Sequence, residues 1–271
     1  RDRNYTNQEL RKLSKEDLSG NWLAGVVLII IVGLIGGLLR QIISAFSGPS
    51  PGELAGMPTP TDMEAMAPYF MDVFQKSAAS YGIIGLLIKP IEELFNVGIG
   101  FGFLDMVDGA KLKLEYIIAP FTERFGRNIL VAVLYLIIIA VGYALLVIPG
   151  IIFSFMFMPV YYILRDRQDL DVVGVFKESK RLMQGHKFNY FKLILPYILL
   201  PIAIVAVIAI LMVVFAIKEM LGPMLLMGLI SIILSAVMTF YIDIKIKALS
   251  AGYYRRNLAP IVVEEVIIEE I

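Results

Sequence analysis

Apolar stretches long enough to cross a bilayer recur along almost the whole chain, and the basic residues between them fall on alternate sides. A helix of ~20 residues crosses the hydrocarbon core with every backbone group bonded internally. A soluble fold of 271 residues has no room to bury so many runs of that length. The pattern therefore calls for an all-α integral membrane protein. Hydrophobic residues make up 58% of the chain, against ~45 to 50% in soluble domains. Lys plus Arg and Asp plus Glu balance at 24 each, which gives no basic character to attract nucleic acid. Cysteine is absent and His186 is the only histidine, so disulfides, cysteine-based zinc sites and thiol nucleophiles are excluded. No cofactor or metal is expected.

Six spans account for the pattern, at about 22–46, 81–106, 128–147, 151–166, 190–217 and 222–250. Before the first lie Arg1, Arg3, Arg11, Lys12 and Lys15; Lys111, Lys113, Arg124 and Arg127 follow the second, and Lys177, Lys180, Arg181, Lys187 and Lys192 follow the fourth. The positive-inside rule puts these segments, and both termini, in the cytoplasm of a plasma-membrane protein. Residues 47–80 carry five prolines and Glu53, Asp62, Glu64 and Asp72 against Lys76 alone, which reads as an extracytoplasmic loop. Met63, Met66, Phe70 and Phe74 in that loop recur at helical spacing, so an amphipathic surface helix is expected over Asp62 to Ala79. Residues 1–257 form one membrane domain, and 258–271 an acidic cytoplasmic tail with Glu264, Glu265, Glu269 and Glu270. The polar start does not read as a cleavable signal, and Trp22 onward suits an uncleaved anchor. The fourth span is short for a crossing.

Three cytoplasmic segments look alike: an amphipathic stretch, a glycine, polar or basic residues, then a span. The junctions are Leu18-Ser19-Gly20-Asn21-Trp22, Arg124-Phe125-Gly126-Arg127-Asn128 and Met183-Gln184-Gly185-His186-Lys187-Phe188. Glycine past a helix end suits a left-handed cap. Two readings stand: three repeats of in-plane helix, glycine elbow and transmembrane hairpin, or the ordinary look of any basic loop before a span.

Leu146-Val147-Ile148-Pro149-Gly150-Ile151, followed by Ser179-Lys180-Arg181-Leu182-Met183-Gln184-Gly185-His186-Lys187 and Phe191, resembles the signature of the bacterial membrane family called domain of unknown function 975. Leu18 to Trp22 and Phe121 to Arg127 fit the same pattern. The resemblance implies a polytopic membrane protein without an assigned reaction, distantly similar to membrane domains attached to glycerophosphodiester phosphodiesterases. No phosphodiesterase residues are present, and the proline-rich outer loop and acidic tail fall outside the likeness.

Ionisable groups inside a span cost at least ~2.5 to 3.5 kcal/mol near the bilayer centre, which singles out Arg40 in span 1 and Lys89, Glu92 and Glu93 in span 2. At ~1.5 Å per residue Arg40 and Glu92/Glu93 reach similar depth in the outer leaflet. They read either as an intramembrane ion pair or as the lining of a polar pathway. Gly33 and Gly37, with Gly98 and Gly102, are the candidate close-packing faces of the two spans. Arg181, His186 and Lys187 read as an anionic-lipid contact or as an orientation signal. Pro149 and Gly150 form a tight turn between spans 3 and 4. Asp243 is expected to pair locally with Lys245 or Lys247.

The absence of a catalytic constellation argues against an enzyme. The function expected is transport-like or membrane-organising, built around a polar or lipid-accessible cavity; the alternative is an enzyme or accessory subunit acting on lipid headgroups. Expected partners are the bilayer, anionic lipids, and a second copy or another membrane protein.

Overall fold

Thr6 opens the first helix with a reciprocal cap: its hydroxyl accepts the amide of Glu9, and the Glu9 carboxylate accepts the amide of Thr6 at 2.8 Å. The computed structural model describes residues 5–47, 58, 63–218 and 221–259, and every regular element among them is helical. In order these are α1 (Asn7–Asp17), α2 (Trp22–Ser47), α3 (Met63–Val107), a 3-10 turn (Leu114–Ile117), the single-turn α4 (Ala119–Thr122), α5 (Phe125–Leu145), α6 (Val147–Met156), α7 (Val160–Asp166), α8 (Val172–Leu182), α9 (Lys187–Ile217) and α10 (Leu221–Tyr253). A π turn (Tyr254–Leu258) follows α10. The acidic tail beyond Ala259, most of the proline-rich stretch and Glu219 lie outside the described residues.

Among the described residues five stretches are long and apolar enough to cross a membrane, Trp22–Ile42, Phe125–Leu145, Val147–Asp166, Lys187–Phe215 and Leu226–Leu258, and the expected second span at 81–106 is not one of them. The most apolar part of α9 buries none of its residues, and Leu200, Val205, Ile210 and Val213 stand open. Such a surface is stable only where acyl chains replace water.

Helices adjacent in sequence pair side by side: α2 with α3, α5 with α6, and α9 with α10. The carboxyl half of α3 is the hub, in contact with α2, α5, α7 and α10. Its Leu94, Val97, Phe103 and Leu104 are fully buried with Ile163 of α7, Val175 of α8, Leu193 of α9 and Ile244 of α10. The core thus gathers at the end of the bundle that holds α1, α4 and α8. Toward the other end the helices turn apolar side chains outward.

Short elements precede α2, α5 and α9 and explain how the chain enters them. α1 buries Leu10, Ser14 and Leu18, one face at four-residue spacing. Beyond its capping residue Leu18 the chain turns at Gly20, with φ +82°, and α2 begins two residues later. α8 ends in the same way: Met183 caps it, Gly185 has φ +80°, and α9 begins two residues later. The middle junction departs from the expected glycine elbow. There the left-handed residue is Arg124, with φ +47°, while Gly126 lies in the first turn of α5.

Three further expectations change. The expected outer amphipathic helix and the second span are one continuous helix, the 45 residues of α3. At ~1.5 Å per residue that is roughly 68 Å, more than twice the ~30 Å of a hydrocarbon core. The expected turn at Pro149-Gly150 is displaced: Leu146, extended at φ −172°, makes the corner, and Pro149 and Gly150 lie in the first turn of α6. Proline is tolerated there because first-turn amides have no partner to lose. Gly150 lets the hairpin close tightly, since a Cβ on Gly142 would stand 3.1 Å from its Cα. The expected fourth span is split at Phe157 to Pro159, where α6 ends and α7 begins.

Candidate functional site

Ser231, Ser235, Thr239 and Asp243 recur every four residues along α10, so they share one face of that helix. Opposite them α9 presents an apolar face running from Pro201 through Ile208 to Met212. The two faces enclose a groove of about 650 Å³. The hydroxyls in it are turned back on their own helix: Ser231 donates to the Gly228 carbonyl at 2.7 Å, and Thr239 to the Ser235 carbonyl at 2.8 Å. Asp243 at the inner end pairs with Lys247, one turn on, at 3.4 Å, as the sequence suggested. Lys245 instead lies over the rings of Trp22, at 5.4 Å, and Tyr241, at 5.8 Å. The groove therefore combines apolar walls, a line of hydroxyl acceptors and a paired charge at its inner end. A hydrocarbon chain ending in a polar group has that shape.

Arg40 of α2 and Lys89, Glu92 and Glu93 of α3 divide into two groups. Glu92, whose side chain is 11% exposed, lies 2.5 Å from Lys89 Nζ and 4.0 Å from an Arg40 nitrogen. The carboxylate is thus placed between two cations whose own side chains are more than half exposed, the arrangement expected when long basic side chains snorkel around a shielded acid. Glu93 points the other way, into the bundle, where it accepts hydrogen bonds from the Tyr161 hydroxyl at 2.5 Å and from Asn96 at 3.3 Å. Tyr161 packs on Tyr135, with ring centroids 5.1 Å apart. None of these four residues lines the α9/α10 groove.

The glycines behave differently from the expectation. Gly33 and Gly37 have open space where a Cβ would stand, and Gly36 instead faces α3, its Cβ position 3.6 Å from Glu92 Oε1. Gly98 and Gly102 accommodate Tyr116 of the 3-10 turn rather than α2: a Cβ on Gly102 would stand 3.0 Å from the Tyr116 ring. The ring's hydroxyl donates to Asp105 at 2.9 Å. Burial first, and then that hydrogen bond, push the Tyr116 hydroxyl up to about 12.

Sequence reasoning missed the ionic layer at the core end. Arg255 forks between Asp108, at the end of α3, and Asp166, at the end of α7, with bonds of 2.5 to 2.9 Å. Tyr254 donates to the same Asp166 at 3.0 Å. Arg256 grips Asp17, at the end of α1, through two bonds of 2.8 Å. Arg165 holds Asp105 at 3.0 Å and Glu123 at 2.9 Å. The π turn after α10 thus ties together the ends of three other helices. Arginines directly after a span were the only signal in the sequence.

The proposed anionic-lipid trio is dispersed. Arg181 is engaged with Glu178 at 2.6 Å, and that bond holds the Glu178 carboxyl below its ordinary value. His186 Nδ1 and its carbonyl both lie against the Tyr253 hydroxyl, at 3.3 and 3.2 Å. Lys187 opens α9. Among the described residues no cluster of three or more His, Asp or Glu is disposed to hold a metal ion.

These features define a multi-pass, all-helical membrane protein whose ion pairs gather mostly at the core end. Comparison with known protein families, with curated proteins and with solved structures finds no match.

Proposed function

We propose that the protein is a non-enzymatic, membrane-organising protein of the plasma membrane that holds a bilayer lipid in the groove between α9 and α10. One observation carries this reading: a groove of about 650 Å³ whose apolar walls are broken by a single polar stripe ending in Asp243, which pairs with Lys247. An acyl chain along Ile208 and Met212 would trade lipid contacts for protein contacts of equal polarity. The polar end would then meet a charge pair already neutralised, which suits a zwitterionic or hydroxyl-bearing headgroup.

In this reading six spans form three hairpins, each introduced by an in-plane element, with both termini cytoplasmic. The matched turns at Gly20 and Gly185 support the repeat, and Arg124 takes the same role in the middle copy. The likeness to domain of unknown function 975 belongs to the same proposal. The pairing of Arg40, Lys89 and Glu92 favours a membrane-organising role over a charged pathway through these residues, because the carboxylate is already neutralised by its neighbours.

Filling the groove tests the proposal. Ser235→Trp, placed among these walls, should remove lipid that copurifies with the full chain, read by native mass spectrometry, while leaving its thermal midpoint in detergent unchanged. Equal lipid occupancy in the variant and the natural chain would refute it.

A further inference from the structure

A second cavity lies at the core end and shares no lining residue with the groove. It measures about 380 Å³ and lies between the start of α5 and the end of α7. Three arginines line it, Arg124, Arg127 and Arg165, against one carboxylate, Glu123. Arg165 is neutralised twice over, by Glu123 and by Asp105. Arg124 and Arg127 are bound only to backbone oxygens. Arg124 donates to the Gln168 carbonyl at 2.6 Å, and Arg127 to the carbonyls of Leu164 at 3.2 Å and Arg167 at 2.7 Å. Both thus cap the free carbonyls at the end of α7 and keep their charge.

Arg127 is left incompletely satisfied. Two of its five N–H donors are used on those carbonyls, and its Nε is buried with no partner at all. The remaining N–H groups of this guanidinium are available to an acceptor from outside the chain. Arg167, next to the cavity, is committed to Asp169 at 2.8 Å. Two further features favour an anion. The first-turn amides of α5, at Phe125 and Gly126, have no helical acceptor of their own and lie in sequence between Arg124 and Arg127, which line the cavity. The cavity also lies at the boundary where α5 enters, and α7 leaves, an apolar layer.

We propose that this cavity is a binding site for a phosphate group, held by the guanidinium groups of Arg124 and Arg127. Guanidinium forks match phosphate oxygens in pairs, and arginine keeps its charge at any working pH. The phosphate comes either from the headgroup of an anionic phospholipid or from a soluble phosphate ester. The site is separate from the lipid groove and does not depend on it.

Titration of the full chain in phosphatidylcholine nanodiscs tests the site, with phosphatidic acid as the lipid probe and inorganic phosphate as the soluble one. The natural chain should bind phosphatidic acid at least about tenfold more tightly than phosphatidylcholine. Arg124→Gln should weaken that binding about tenfold, which corresponds to ~1.4 kcal/mol. Its side chain is exposed and makes one backbone bond, so the fold should survive, as an unchanged thermal midpoint would show. Arg127→Lys keeps the charge but loses the fork, and should weaken binding with the thermal midpoint as control. Displacement of phosphatidic acid by inorganic phosphate assigns the site to soluble phosphates; persistence assigns it to the lipid headgroup. Equal affinity for phosphatidic acid and phosphatidylcholine together with no binding of inorganic phosphate in the natural chain, or undiminished binding in a folded Arg124→Gln variant, would overturn the proposal.

Discussion

Replacing Asp17 by Asn should unfasten the last described turn of the chain from its first helix. The two are 239 residues apart and meet through a bidentate pair, Arg256 to Asp17, with both bonds at 2.8 Å. The side chains are 15% and 13% exposed, so water screens the pair only weakly. Asparagine preserves the shape but leaves the guanidinium facing a neutral amide. Breaking a fully buried pair costs ~3 to 5 kcal/mol, whereas an exposed pair is worth ~0.2 to 1. With about one-seventh of each side chain still exposed, a loss of ~2 to 3 kcal/mol is expected for Asp17→Asn. The assay is reversible unfolding in mixed micelles, run as a double-mutant cycle with Arg256→Gln. The double variant should be no less stable than the worse single one, giving a coupling energy of ~1.5 to 3 kcal/mol. Strict additivity, within ~0.5 kcal/mol, would mean that the pair does not hold α1 to the end of α10.

Other substitutions separate the remaining contacts. Gly102→Ala should cost ~1 to 3 kcal/mol, because its Cβ would press on the Tyr116 ring at 3.0 Å. Gly33→Ala and Gly37→Ala meet open space and should be neutral or stabilising by up to ~1 kcal/mol, which unfolding midpoints in detergent would show. Tyr161→Phe removes the 2.5 Å hydrogen bond to Glu93 and should cost ~1.5 to 3 kcal/mol; Glu93→Gln in the same chain should recover much of it, since the unpaired charge is then gone. Tyr116 has its folded value raised to about 12 from 10.0, so its contribution to stability is complete below pH 10 and is lost as pH rises through about 12. An ultraviolet difference titration against Tyr116→Phe should show that late step, and its absence would refute the burial argument.

Much of the architecture was legible because a bilayer allows so few solutions. Apolar runs had to be helices, and the turns at Gly20 and Gly185 could be read from glycine following an amphipathic stretch. Residue rise gave Arg40 and Glu92 a similar depth but not their pairing, and an Arg40 nitrogen lies 4.0 Å from the Glu92 carboxylate. What escaped has physical reasons. The proline-rich stretch was read as a loop with its own helix, yet Pro68 and Pro90 both lie inside the unbroken α3. Gly33 and Gly37 share a face by spacing, but spacing does not say which face meets a neighbour, and Gly36 is the one that does. The contacts of Arg255 and Arg256 join residues 89 to 239 positions apart, a distance over which no periodicity operates. The groove's polar stripe was present in the sequence at four-residue spacing. Its importance emerges only when α9 supplies the opposite wall.

The central claim is that a lipid occupies the groove between α9 and α10. The most direct measurement is an experimental structure of the full chain in lipid nanodiscs. Elongated density between Pro201 and Asp243, with its polar end beside Lys247, is the expected result. A groove closed by direct packing of Ile208 and Met212 against Thr239, with no lipid between the helices, would contradict it.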